Sequence, residues 1–176
     1  MSAHEVTEAA STLVIGVGNE ALRDEGIGVH VVRALLDQNL PPHVRVIDGG
    51  TGGWGLVGRL EGVRRLVLVD AMAMGRTPGT VVAVRPEEFR RARPADRTSL
   101  HGTSVFDVLE LAGALGLEPP EIWIVGVEPA VVTWGLELSP QLQQALPRAV
   151  QAVLQAIGCR PPEPIRKTSR PLIADS

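Results

Sequence analysis

Three short apolar runs, Thr12-Leu-Val-Ile-Gly-Val17, Leu66-Val-Leu-Val69 and Ile122-Trp-Ile-Val125, constrain the fold more than any other feature of this sequence. A strand that is apolar on both faces is covered on both faces, which is the habit of a parallel sheet sandwiched between helices. Leu66–Val69 has no polar residue at all and is therefore expected at the centre. The composition agrees. Only 3% of residues are aromatic and there is no Tyr, so Val, Leu, Ile and Ala must fill the core.

Between these runs the apolar period changes. Ile27, Val31, Ala34 and Leu35 fall at i, i+4, i+7 and i+8, one face of a helix starting at about Gly26. Pro41-Pro42 forces the chain out of helix, and Val44–Ile47 makes a second strand. Asp48-Gly-Gly-Thr-Gly-Gly53 is expected to be a loop, followed by a short helix over Trp54–Leu60. Thr80–Val84, introduced by the Pro78-Gly79 turn, is a fourth strand. Residues 86–100 are charged and loop-like, and a helix begins between His101 and Ser104 with Val105, Val108, Leu109 and Ala112 inward. Ser139-Pro140 opens the last helix, because Ser caps and Pro suits the first helical position. Leu142, Leu146, Ala149, Val150, Val153 and Ile157 form its apolar face. This alternation of strand and helix predicts an α/β fold: a three-layer α/β/α sandwich around a mostly parallel sheet of about five strands. Strand order does not follow from a single sequence.

The 176 residues suit one domain with a sizeable core. The domain is expected over 12–159, after a frayed stretch at 1–11. Residues 160–176 are rich in proline and basic side chains without apolar period, and read as a mobile tail. A net charge of −3 gives no electrostatic reason to expect nucleic acid or an anionic membrane as partner. The single cysteine, Cys159, rules out an intrachain disulfide and a four-cysteine zinc site. Leu13–Val17 is too short for a membrane span or signal-peptide core, so a cytoplasmic location is expected.

In open α/β sheets, ligands bind at the carboxyl ends of the strands, where loops and helix N-termini converge. Glu25, Asp70 and His101 all fall at or near that edge. Each also has an ordinary explanation. A helix dipole favours Glu in the first turn, Asp often ends a strand as a turn residue, and a lone His near a helix start is commonly a polar loop residue. Gly16-x-Gly18 resembles a dinucleotide-binding turn, but its third glycine is misplaced.

Taken together these residues are more specific. Leu13-Val-Ile-Gly-Val-Gly-Asn19 followed by Leu22-Arg-Asp-Glu-Gly-Ile-Gly-Val29 closely resembles the opening of the nickel–iron hydrogenase maturation proteases. So do Ile47-Asp-Gly-Gly-Thr51, Leu66-Val-Leu-Val-Asp70-Ala71, Pro78-Gly79-Thr80 and Ile124-Val-Gly-Val-Glu-Pro129, with His101 at the family's histidine position. The resemblance covers roughly residues 12–157. It implies an endopeptidase that recognises nickel already inserted in the hydrogenase large-subunit precursor and then removes a C-terminal extension. The family's metal-contacting residues fall on Glu25, Asp70 and His101, with Glu25 standing where many relatives carry Asp. Asp48 matches another acidic position on the same edge.

One imidazole and two carboxylates suit a borderline ion such as nickel, and they leave coordination positions for ligands arriving with the precursor. The nickel is thus expected with the substrate. No Ser–His–Asp set is visible. Two routes to cleavage stay open: a carboxylate, Asp48 or Asp70, activating a water in the manner of an aspartyl-type endopeptidase, or the nickel polarising the scissile carbonyl. A nickel-sensing chaperone using the same residues without cutting, and a Rossmann-like nucleotide enzyme with Asp48 on the ribose, are the competing readings.

Overall fold

The computed structural model describes residues 11–51, 58–88, 113–114, 116 and 119–158. Five strands form one sheet: β1 (Thr12–Val17), β2 (Val44–Gly50), β3 (Arg65–Ala71), β4 (Val81–Val84) and β5 (Glu121–Val127). Their order is β2-β1-β3-β5-β4. β1 pairs in parallel with β2 and β3, β3 pairs in parallel with β5, and β4 alone runs antiparallel, against β5. The sheet is mostly parallel, as expected, with Leu66–Val69 in its central strand.

Strand alternation divides the core into two layers. Val14, Val67, Val69, Val125 and Val127 face one side, where α1 (Ile27–Leu36) and α2 (Pro140–Ile157) pack on the sheet and on each other. Leu13, Ile15, Val17, Leu66 and Leu68 face the other side and meet Leu60 and Val63. On the first side the approach is unusually close at Gly28. A Cβ there would lie 2.2 Å from the Val17 carbonyl oxygen and 2.4 Å from that of Val69. Only glycine lets α1 begin directly on the ends of β1 and β3. Ser139 caps α2 as anticipated, its hydroxyl accepting from the Leu142 N–H, with Pro140 first in the helix.

At the amino edge Arg65 ties three elements together. It donates to Glu121 Oε2 from Nε at 2.8 Å and from Nη2 at 2.5 Å, and its Nη1 reaches the carbonyls of Ala156 and Ile157 at the end of α2. Hydrogen bonds from Arg65, then from Arg85, hold the Glu121 carboxyl below its ordinary range. Arg85 also lies over the Trp123 ring, 4.1 Å from its centroid.

Several boundaries differ from the sequence reading. The strand beginning at Val44 does not stop at Ile47 but runs through Asp48-Gly49-Gly50, because β1 continues to offer it a partner. Gly16 pairs with Asp48 and Val17 with Gly50, the register slipping between them. Asp70 and Ala71 remain in β3, opposite Gly126 and Val127 of β5. Residues 86–88 form a helical turn rather than loop. A 3-10 helix, Arg23–Gly26, precedes α1. Most of the helix expected over 54–60, the helix expected after His101, and the segments 1–10 and 159–176 lie outside the described residues.

Candidate active site at the carboxyl edge

Glu25 and Asp70 come together where β1 and β3 end. The 3-10 helix carrying Glu25 packs against β3, and Glu25 itself is only 3% exposed. Gly18 is what permits this. Its φ is +146°, and a Cβ on it would stand 2.0 Å from the Glu25 carbonyl oxygen, so the turn after β1 folds flat against the residue. Asp70 is half-buried as a residue, but its Oδ1 is fully sequestered and accepts no hydrogen bond. Burial pushes the Asp70 carboxyl up to about 8. A hydrogen bond from the Ala71 backbone offsets part of that rise, and the neighbouring Glu25 carboxylate adds to it. Two carboxylates on one buried edge, one held protonated by its surroundings, make a site that gains by receiving a cation.

Asp48 sits elsewhere on the same edge. Gly16 of β1 pairs with Asp48 on one side and Val69 on the other, so the Asp48 and Asp70 backbones are about two strand spacings, roughly 10 Å, apart. By strand alternation the two side chains leave opposite faces. Asp48 follows Val44 and Val46 toward α1, whereas Asp70 follows Leu66 and Leu68. Asp48 Oδ1 accepts from its own Gly50 N–H at 2.9 Å, and Oδ2 lies 3.7 Å from Arg33 Nη2. Arg33 is forked onto Glu20, its Nη1 and Nη2 donating to the two carboxylate oxygens, and this pairing raises the Arg33 pKa further. His101 lies outside the described residues. Among those described, no three His, Cys, Asp or Glu side chains converge as a metal-binding group.

Two buried acids that the sequence reading did not single out build the walls of this site. Asp24 is fully buried. Its Oδ2 accepts from the N–H groups of Ala130 and Val131, at 2.8 and 2.7 Å, and from the Ser139 hydroxyl at 2.8 Å. Its Oδ1 accepts from the Ser139 N–H at 2.7 Å. Glu128, at the exit of β5 and 5% exposed, accepts through Oε2 from the N–H groups of Met74 and Arg76, at 2.7 and 3.0 Å, and so fixes the loop that follows Asp70. The only advance signal for either was its place in the quoted strings, Arg-Asp-Glu-Gly and Val-Glu-Pro; their partners lie 52 to 115 residues away.

The profile of a known family, the hydrogenase maturation proteases, matches residues 29–156. The chain belongs to this family. It is 43% identical over 119 residues to the hydrogenase expression/formation protein HupM of Azotobacter chroococcum, a match spanning 67% of this chain but only 57% of that relative. Against the hydrogenase 2 maturation protease of Escherichia coli it is 35% identical over 147 residues, 82% of this chain and 89% of the relative. The solved structure of the E. coli hydrogenase maturating endopeptidase HybD superposes with a TM-score of 0.75 at 34% identity, covering 84% of this chain and 91% of that one. The five-stranded sheet described above is thus the family's fold. No helix among the described residues is long and apolar enough to cross a membrane.

Proposed function

We propose that this protein is the endopeptidase that removes the C-terminal extension of a [NiFe]-hydrogenase large-subunit precursor once nickel has been inserted. Family membership supports peptidase chemistry in hydrogenase maturation. The observation that carries the finer reading is the Glu25–Asp70 pair: a buried carboxyl held up at about 8, with an uncompensated oxygen, beside a second acid. Such a pair is poised to exchange its proton for a divalent ion. Nickel is here part of the substrate. Glu25 and Asp70, joined by His101, would complete the shell of an ion that the precursor already grips, and the chain's own three ligands would hold it only weakly alone.

Asp70 and Asp48 are the candidates for activating water. The opposite faces they take give them different parts. Asp70 stands with Glu25 at the nickel, and Asp48, held against Arg33, would meet the peptide on the far side of β1. Docking on the metal would then place the scissile bond by proximity rather than by reading a long peptide sequence. A protein client also needs surface. Trp134 is 82% exposed and Leu136 74%, on the loop that Asp24 fixes beside Glu25. A cytoplasmic location accords with a client that is processed before its final assembly.

The test is to mix the purified protein with metal-free and nickel-loaded precursor and follow the C-terminal mass loss. We expect cutting of the nickel-loaded form alone, and its loss in Glu25→Gln, Asp70→Asn and His101→Ala. Equal cutting of both precursor forms would refute the nickel reading. Stable binding of nickel-loaded precursor without any cutting would favour the chaperone reading.

A further inference from the structure

Glu25 has no freedom to find its own place. Its turn is fastened from two sides. On the β1 side Gly18 lies flat against its carbonyl. On the other side the chain from Pro129 to Leu138 runs alongside residues 21–24. The Arg23 N–H donates to Gly135 O at 2.9 Å, the Gly135 N–H to Ala21 O at 2.9 Å, and the Asp24 N–H to Val131 O at 3.3 Å. Arg23 is held at φ +54°, a left-handed backbone that a non-glycine residue adopts only at a cost. Something must keep the turn in that shape. The densest set of contacts able to do so is the Asp24 carboxylate, whose two oxygens accept four hydrogen bonds from Ala130, Val131 and Ser139.

We propose that Asp24 is a positioning residue for the metal-recognising edge: its carboxylate locks the 3-10 turn to the 129–139 segment and thereby aims the adjacent Glu25 at the position beside Asp70. This rests on the reading of Glu25 as a nickel-contacting residue. Asp24 is fully buried and its two oxygens already accept four hydrogen bonds, so it is turned inward and not toward metal or substrate. All of its partners come from a segment more than 100 residues away in the chain, which makes it the clasp between the two halves of the site. Asparagine has nearly the same shape but replaces one acceptor oxygen with an NH2 group. That group would face N–H donors, so the isosteric change opens the clasp without removing bulk.

The test measures nickel(II) binding to the purified, metal-free protein by calorimetry, for wild type, Asp24→Asn, Glu25→Gln, the double variant and Ser139→Ala. Thermal unfolding is followed in parallel. We expect Asp24→Asn, where cooperatively folded, to weaken nickel binding by about tenfold or more, the usual effect of losing a group that orients a ligand. In the Glu25→Gln background the same change should have no further effect on nickel affinity, because Asp24 acts through Glu25. Ser139→Ala, which removes one of the four bonds, should give a smaller loss. A folded Asp24→Asn protein with reduced melting temperature but wild-type nickel affinity would overturn the proposal and leave Asp24 a purely structural group. So would an additive loss in the double variant. If Asp24→Asn cannot fold, unchanged affinity in Ser139→Ala overturns it instead. Unchanged affinity in Glu25→Gln would remove the nickel-site reading itself, and this proposal with it.

Discussion

Asp70 shows how a single side chain can carry a conflict that the fold leaves in place. Its carboxyl is pushed up to about 8 chiefly by burial, against about 3.9 in an unfolded chain. The folded protein therefore binds more protons than the unfolded chain between those two values, and stability falls as pH rises across that window. The contribution is fully present below about pH 4 and is lost as pH climbs through 8, by at most about 1.4 kcal/mol per unit. Asparagine keeps the volume and cannot ionise. In chelator-treated buffer Asp70→Asn should melt higher than wild type at pH 8, with the gap closing toward pH 5. A gap that is the same at both values would show that the carboxyl is not carrying the burial penalty. The sequence disclosed Asp70 because it ends an apolar strand. It could not disclose Asp24 or Glu128, since the donors that define their roles are assembled only by folding.

Among the elements, the strands were legible and their surroundings less so. Runs such as Leu66–Val69 advertise two buried faces whatever surrounds them. The extension of β2 through Asp48-Gly49-Gly50 was hidden, because glycines read locally as loop while the pairing comes from Gly16 and Val17 of another strand. The antiparallel direction of β4 is likewise a property of the pair it forms with β5. The start of α1 is the place where one atom decides how two elements meet. Gly28→Ala would gain about 0.5–1 kcal/mol of helix preference, but its methyl would stand within 2.4 Å of two strand carbonyls. Backbone must shift, at a typical cost of about 1–3 kcal/mol. We expect Gly28→Ala to be destabilised on balance and to lose cutting as the 3-10 turn before α1 moves off β3. A variant that melts like wild type and cuts normally would mean that α1 can slide without disturbing the edge.

For the whole molecule, the two poles of the sheet are built for different ends. The amino pole is a fastening: Arg65 holds β3, β5 and the last turn of α2 in one set of hydrogen bonds. The sequence beyond Gly158 shows no apolar period. Truncation after Gly158 should leave the melting temperature nearly unchanged, whereas truncation before Ala156 removes the carbonyls that Arg65 grips and should lower it by several degrees. A large drop for the first truncation would show that Pro171-Leu-Ile173 docks on the body.

The strand order has a consequence at the other pole. The chain that leaves β1 first packs against the end of β3 and then crosses over to β2, on the other side of β1. The connections after β1 and after β3 lead to opposite sides of the sheet, and their starts meet at these two neighbouring strand ends. Glu25 comes from the connection after β1 and Asp70 from the end of β3. The two acids are far apart in sequence, and the β1–β3 pairing that brings them together ends before either of them. The relative placing of the two acids is therefore set by a strand register and not by the length of any one loop.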